Sequence, residues 1–170
     1  MRSAKIVLVL ALRMVRYSIF KTLVAGLAGG LTLNLAMLLT FRGFGFGWDG
    51  GGVLLDPSIQ SRKLIDVWTK LEPIPLVVAR PIPIIIGLTL FGVVHALFYR
   101  WLAPSWPPGR AARSLRLAFL LFVLSFLFWE FFTPFNLFGE PLVLIGLELV
   151  FWGIIAAAEA LVIAWVMESG

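Results

Sequence analysis

The chain has 170 residues and a formal net charge of +5, with hydrophobic residues at 61% of positions and charged residues at 14%. Soluble domains are about half apolar and a quarter charged, so a water-soluble fold of this length cannot bury so much apolar surface. The absence of cysteine excludes disulfides, thiolate metal sites and thiol redox chemistry. The basic residues flank long apolar runs instead of forming a stripe, which indicates membrane topology and argues against nucleic-acid binding.

The chain begins with a basic segment, residues 1–21, which is typical of a helix lying at the membrane surface. We expect it to be retained, because basic residues interrupt its apolar run and no signal-peptide cleavage pattern follows. A first membrane span is predicted at 22–41, since about 20 apolar residues cross a hydrocarbon core of about 30 Å. Within it Gly26, Gly30 and Asn34 recur every four positions, a face suited to close packing either within the chain or between two copies.

Residues 42–79 form the one extended polar region and are predicted to be a loop outside the bilayer. Asp56 followed by Pro57 is a typical helix start, with an acidic N-cap before proline at the first helical position. Apolar residues then recur at helical spacing. This pattern predicts a short amphipathic helix on the membrane surface over 57–72.

The remaining apolar runs predict three more spans, at residues 82–102, 114–135 and 142–166. A proline-rich turn at 104–109 and a tight turn at 136–141 separate them. The predicted fold is therefore all-α: a single integral membrane domain over 1–170, with four transmembrane helices in a bundle.

Lysines and arginines beside the spans set the predicted orientation, because these residues resist translocation. The N-terminal flank and the turn after the second span are both rich in them, whereas the turn at 136–141 has none. With four spans, the two basic regions fall on one side of the membrane. Both termini are thus predicted to be cytoplasmic, with loop 42–79 and turn 136–141 outside.

Three glutamates fall within the predicted spans, namely Glu130, Glu148 and Glu159. A charged group in hydrocarbon costs about 2.5 to 3.5 kcal/mol on insertion scales, so each should face protein, water or a partner. Glu130 and Glu148 lie at similar distances before and after the tight turn. Both are therefore expected roughly 9 Å inside the outer ends of neighbouring antiparallel helices, at matched depth.

These two glutamates are expected to form an outer-facing acidic pocket with Asn136 and Glu140, and with Arg80 nearby. Pro134 should kink its helix and free the carbonyl of Glu130 as a further oxygen. Acids that share a site cannot all ionise cheaply, so the pocket is predicted to bind a proton, a cation or a small polar ligand. The alternative is that the acids pair with Arg80 or Arg42 at the outer ends of their helices and only stabilise the bundle.

Two further residues are candidates for function. Glu159 shares a face of the last span with Glu148, which predicts either a proton path or two separate structural ion pairs, with Arg100 or Arg16 as the partner of Glu159. His95 is the single histidine of the chain. It is a candidate axial ligand or proton carrier, or simply a packing residue.

No phosphate-binding, dinucleotide, hydrolase or zinc motif is found in the sequence, so no catalytic residue, metal or cofactor is assigned. The leading hypothesis is a small membrane protein whose acidic pocket binds a proton, cation or polar ligand. Two alternatives remain open: a non-catalytic accessory subunit of a larger membrane complex, and a membrane enzyme that uses paired carboxylates as acid and base. Four spans are few for a monomeric transporter, so besides lipid we expect contact with a second copy or with other membrane subunits.

Overall fold

The structure is a computed structural model that describes residues 17–71 and 75–169. Nearly all of the predicted interfacial segment 1–21, including Arg16, lies outside the described residues. Within them every regular element is helical. Four helices are long and apolar enough to cross a membrane, which confirms the predicted all-α fold class with four membrane-length helices.

The four long helices, called spans 1 to 4, extend beyond their predicted bounds and comprise Ile19–Gly45, Pro81–Ser105, Arg110–Phe138 and Leu142–Glu168. Span 1 is α-helical over Ile19–Met37 and π-helical over Leu38–Gly45. Arg42 caps its end by donating to the carbonyls of Gly47 and Trp48 at 2.6 and 2.8 Å. Basic residues near a helix end can thus remain helical, because their long side chains reach outward to polar partners.

Span 2 is α-helical over Pro81–Leu102 and ends in a 3₁₀ turn, Ala103–Ser105, whereas span 4 is one α-helix over its whole length. Span 3 is the irregular one. Its successive segments are α-helical Arg110–Leu121, π-helical Phe122–Leu127, α-helical Phe128–Glu130, π-helical Phe131–Phe135 and α-helical Asn136–Phe138. Pro134 lies inside the second π-helical segment, because proline has no N–H to bond to the carbonyl four residues earlier.

The spans pack in the order 2-1-4-3, so that spans 1 and 4 form the centre. Spans 1 and 2 approach closely through glycine: a Cβ on Gly26 would lie 2.4 Å from Val93 Cα. A Cβ on Gly30 would lie 2.4 Å from the carbonyl oxygen of Thr89. Asn34, the third member of this face, donates to the hydroxyl of Thr89 at 3.1 Å. The small-residue face of span 1 is therefore used within the chain.

The loop between spans 1 and 2 differs from its prediction, because its helix covers only Arg62–Thr69. Asp56 does not start that helix: it accepts hydrogen bonds from the backbone N–H and the hydroxyl of Ser58, at 2.8 and 2.7 Å, and so closes a turn. Ser61 is the N-cap instead and accepts from the N–H of Leu64 at 3.3 Å. A short polar side chain often bonds its own backbone in this way. Two smaller elements complete the loop, a 3₁₀ turn at Val53–Leu55 and a short helix at Leu76–Ala79.

The two ends of the bundle are packed differently. At the terminal end, where Tyr17 and Glu168 lie, all four spans contribute to one apolar core. At the loop end, where loop residues 46–61 and turn 139–141 lie, span 2 packs mainly on span 1. Its first half leaves large apolar side chains exposed there, among them Ile82, Ile86 and Leu90. Such side chains suit contact with lipid.

Candidate functional site

Three glutamates meet near the loop end of the bundle: Glu130, Glu140 and Glu148. One carboxylate oxygen of each lies within 4.8 Å of the others. Their exposed fractions are 1%, 1% and 7% respectively. We call these three residues the acid triad. It joins span 3, the turn after it and span 4, as expected for acids at matched depth around a tight turn.

Local backbone geometry positions each member of the triad. Glu130 ends the short α-helical segment before the proline-containing π-helical turn. Gly139 follows with φ +67°, a left-handed conformation that favours glycine, and reverses the chain. The N–H of Glu140 then bonds back to the carbonyl of Pro134 at 3.1 Å. Glu148 lies in the second turn of span 4, which begins at Leu142.

Two side chains donate hydrogen bonds to the triad. The indole N–H of Trp152 donates to Oε1 of Glu130. The amide of Gln60 donates to Oε1 of Glu140 at 2.5 Å. Sequence reasoning assigned neither donor to the site. The four-residue spacing of Trp152 from Glu148 was a usable signal, since it places both on one face of span 4.

The loop between spans 1 and 2 covers the triad. The hydroxyl of Ser61, beside Gln60, donates to the carbonyl of Phe138 at 2.8 Å and ties the loop to the end of span 3. Leu54 is buried and packs with Leu144 and Phe151 of span 4. The acid triad is therefore enclosed by protein on the loop side and does not open directly to solvent.

The triad holds unsatisfied acceptors. Oε2 of Glu130 and Oε2 of Glu140 are buried and have no hydrogen-bond partner among the described residues. In the part of the chain that the structure describes, no lysine or arginine forms an ion pair with any of the three acids. Burial raises the pKa of Glu140; the hydrogen bond from Gln60 opposes this rise, and the charge of Glu130 adds to it. Buried carboxylates without a counterion are costly, so the site needs protons or a cation.

Two residues assigned to the acidic pocket do not join it. Asn136 is exposed. It follows the π-helical turn Phe131–Phe135, and its exposed side chain does not join the buried triad. Arg80 is also exposed and, within the described residues, forms no ion pair with the triad. The packing order explains this, because span 1 separates span 2 from span 4 and span 3 near the loop end.

Glu159 pairs with His95 and not with Arg100. The Nδ1 of His95 lies 2.7 Å from Oε1 of Glu159, and the two side chains are 1% and 0% exposed. The histidine ring also packs edge-on against Phe91, with ring centroids 4.2 Å apart. Because Nδ1 is engaged by Glu159, an axial metal could be reached only through Nε2.

The triad and the His95–Glu159 pair are separate sites. Glu148 and Glu159 are eleven residues apart on one helix, about 16 Å along its axis. Between them lies an apolar layer made of Leu33 and Ile155 with their neighbours, including Trp152. The sequence suggested a continuous proton path along the acidic stripe on span 4, and in the structure apolar side chains lie between its two acids.

A third arrangement, at the terminal end, was missed from the sequence. Glu168 accepts hydrogen bonds from Arg113 at 2.5 Å, from the hydroxyl of Tyr99 at 3.0 Å and from the hydroxyl of Tyr17. Arg113 is buried and also donates to Tyr17 at 3.0 Å. We call these four residues the terminal cluster. In the sequence Arg113 stands among basic residues that indicate topology, and nothing local shows that it is buried.

No family model, no curated protein and no solved structure matches this chain. The class of protein therefore follows from the fold: an all-helical chain with four membrane-length helices, consistent with an integral membrane protein. The role of its buried acids has to be argued from their geometry.

Proposed function

We propose that this chain is an integral membrane protein whose acid triad binds a proton or a hard cation inside the bundle. The observation that carries the proposal is the meeting of three nearly fully buried carboxyl groups, with ligand oxygens within 4.8 Å of one another. No basic side chain pairs with them in the described residues. Like charges this close favour the uptake of a proton, and oxygen-only ligands suit a hard cation.

The hydrogen-bond donors support this assignment. Gln60 and Trp152 each hold one oxygen of their glutamate, which fixes the orientation of the Glu140 and Glu130 carboxyl groups. Their second oxygens stay unpartnered among the described residues. Glu148 lies against both and completes the set. The donors thus orient the ligand atoms, and the unpartnered oxygens are where a shared proton or a cation would bind.

Carbodiimide labelling tests the proposal, because dicyclohexylcarbodiimide reacts with protonated carboxyl groups in apolar surroundings. We expect mass spectrometry to locate the adduct on the triad, and replacement of all three triad glutamates by glutamine to remove it. Glu168→Gln is the matched control: it removes a glutamate that is already paired with Arg113, so labelling of the triad should persist.

The effect of added Na⁺ or Ca²⁺ on labelling distinguishes a cation ligand from a proton. Suppression of labelling by Na⁺ or Ca²⁺ at constant pH would identify a cation, and suppression by raised pH alone would identify a proton. The proposal would be overturned if the triad stayed unlabelled at every pH and neither cation changed the melting temperature of the purified protein.

The proposal includes an orientation in which the terminal end faces the cytoplasm and the triad lies near the outer side. It is supported by Arg100, Arg110 and Arg116 at the terminal end, because arginine in short flanks is retained on the cytoplasmic side. The chain has no cysteine, so single cysteines can report the sides. In intact cells an impermeant maleimide should label Lys63→Cys in the loop and spare Ser105→Cys; the reverse pattern would invert the orientation.

A further inference from the structure

One face of span 3 near the terminal end lines an open cleft that the proposed function does not use. The cleft has a volume of about 470 Å³ and mainly apolar walls, formed by Trp106, Ala112, Leu115, Arg116, Phe119 and Leu120. The span 3 residues among them follow one another at alternating steps of three and one positions, which is the pattern of one face of an α-helix. Trp106 follows span 2 and packs edge-on against Tyr99, with ring centroids 6.1 Å apart. The cleft therefore lies at the bundle surface between the end of span 2 and the first α-helical part of span 3.

Arg116 is the charged residue of this cleft, and its neighbours are apolar. It comes six residues after Arg110, where span 3 begins, so it lies about 9 Å inside the end of the helix. Leu115 and Phe119 beside it are 68% and 66% exposed. The Arg116 side chain is also exposed, and within residues 17–71 and 75–169 it forms no ion pair. A cation on an apolar surface at this depth is costly in lipid unless an anion accompanies it.

The chain itself supplies no anion for Arg116 at the terminal end. Glu168 lies at this end, but Arg113 pairs with it. Residues 1–16, which precede the described part of the chain, contain no acidic residue. Arg110 adds a further positive charge, and its guanidinium lies over the ring of Trp165 at 4.8 Å, so it is engaged with span 4. The charge of Arg116 therefore suits an anionic ligand.

We propose that this cleft binds an anionic phospholipid from the leaflet at the terminal end. The planar guanidinium of Arg116 donates hydrogen bonds to the headgroup phosphate, whose geometry it matches. One acyl chain lies over Leu115 and Phe119 and continues along span 3 past Leu124, which is also exposed. Trp106 packs at the level of the headgroup, where tryptophan is enriched in membrane proteins. The site depends on the membrane location of the proposed function and not on the acid triad.

Native mass spectrometry of the detergent-purified protein tests the site with two lipids that have the same acyl chains, phosphatidylglycerol and phosphatidylcholine. Both contain a phosphate, but choline adds a positive charge that the bases at the terminal end repel. We expect phosphatidylglycerol to bind about tenfold more tightly. Glycerol 3-phosphate has the phosphate without acyl chains. It should not compete, because the walls of the cleft are mainly apolar.

Substitution of Arg116 should remove this lipid preference. In Arg116→Gln we expect the affinity for phosphatidylglycerol to fall by about tenfold, as when one charge-assisted hydrogen bond is lost, and to approach that for phosphatidylcholine. Arg110→Gln is the matched control, because it removes the same charge from the same helix outside the cleft. Its affinity should stay within about twofold of the wild type, since a distant exposed charge is screened. Phe119→Ala should weaken both lipids alike, because it removes only a contact with the acyl chain.

Several results would overturn the proposal. Equal affinity of the wild-type protein for the two lipids would do so without any variant, and so would equal losses in Arg116→Gln and Arg110→Gln. Competition by glycerol 3-phosphate would assign the cleft to a free phosphate ester, and a dimer that dissociates in Arg116→Gln would assign it to a second copy of the chain.

The lipid experiment and the labelling of the triad have separate outcomes. Failure of carbodiimide labelling removes the proposed ligand of the triad but leaves the preference for phosphatidylglycerol standing. Absence of that preference removes the lipid site while leaving the labelling of the triad unaffected.

Discussion

The acid triad and the terminal cluster both bury glutamate, but they supply it with different partners. At the terminal end Glu168 faces a guanidinium at 2.5 Å and two tyrosine hydroxyls. In the triad the only donors in the described residues are one amide and one indole for three carboxyl groups. The first arrangement balances the charge of its glutamate with Arg113, whereas the second has no basic partner among the described residues.

This difference in hydrogen-bond and charge partners distinguishes a structural role of a buried glutamate from a ligand-binding role. Buried polar groups in proteins are nearly always satisfied, so a cluster that leaves acceptors open calls for a ligand or a proton. A balanced ion pair is complete without one and connects helices. The same residue type is therefore structural at one end of the bundle and a candidate binding group at the other, and substitutions at the two ends should differ in sign.

The largest effect is expected from Arg113→Gln, which leaves Glu168 without its cation. Removing one partner of a largely buried ion pair is strongly destabilising, and with the partial exposure of Glu168 we expect a loss of about 2 to 3 kcal/mol in unfolding free energy. Chemical denaturation in detergent measures it. Arg110→Gln is the control: Arg110 is exposed and lies over the Trp165 ring at 4.8 Å, so its loss should be small. Equal losses in both variants would contradict the assigned role of Arg113.

The opposite sign is expected for Glu148→Gln. An amide in place of the central acid replaces an ionisable group by a neutral one and can donate to the unpartnered oxygens of Glu130 and Glu140. At pH 8 we expect a gain of about 1 kcal/mol in unfolding free energy, the net contribution of one hydrogen bond. Glu168→Gln measured in parallel should be destabilised. Destabilisation of Glu148→Gln to the same extent would show that the triad is a structural lock, as the alternative interpretation of the sequence held.

Stability should also depend on pH through Glu140. Its pKa in the folded protein is raised by burial above the ordinary value of 4.5, so between the ordinary and the raised pKa the folded state binds more protons than the unfolded state. Unfolding free energy is therefore highest at low pH and falls as the pH rises through that window, by at most about 1.4 kcal/mol per pH unit for one group. Melting curves measured from pH 4 upward check this. Glu140→Gln should flatten the profile, and an unchanged slope would contradict it.

The sequence predicted what depends on local geometry. Long apolar runs define the spans, and a tight turn brings Glu130 and Glu148 to one depth because antiparallel helices rise at the same rate. It did not show the contact of Gln60 with Glu140, because eighty residues separate them and the loop conformation decides it. The misassignment of Arg80 has a similar cause. Nothing in the amino-acid sequence indicates that the helices pack in the order 2-1-4-3.

The direction in which a side chain leaves the helix axis explains a further difference between the prediction and the structure. Asn136 was assigned to the pocket by its depth alone, but depth does not determine the direction of a side chain. The π-helical turn around Pro134 also shifts the residues after it relative to an ideal α-helix. His95 and Glu159 were each recognised as unusual within apolar spans. Their pairing required knowledge that spans 2 and 4 meet toward the terminal end.

The smallest effect is expected at the cover of the triad, where Gln60→Leu removes the donor to Glu140 and keeps an apolar side chain in the loop. Loss of one hydrogen bond should lower the unfolding free energy by about 1 kcal/mol. The donor also favours the ionised form of Glu140, so its loss raises the pKa of Glu140 further and extends the pH-dependent fall in stability to higher pH. Ser61→Ala is the matched control, because it breaks the neighbouring bond to Phe138 without touching a carboxyl group. If both variants lose stability but neither changes the pH profile, Gln60 only anchors the loop. A shift of the pH profile in Gln60→Leu but not in Ser61→Ala shows that the loop sets the proton affinity of the triad.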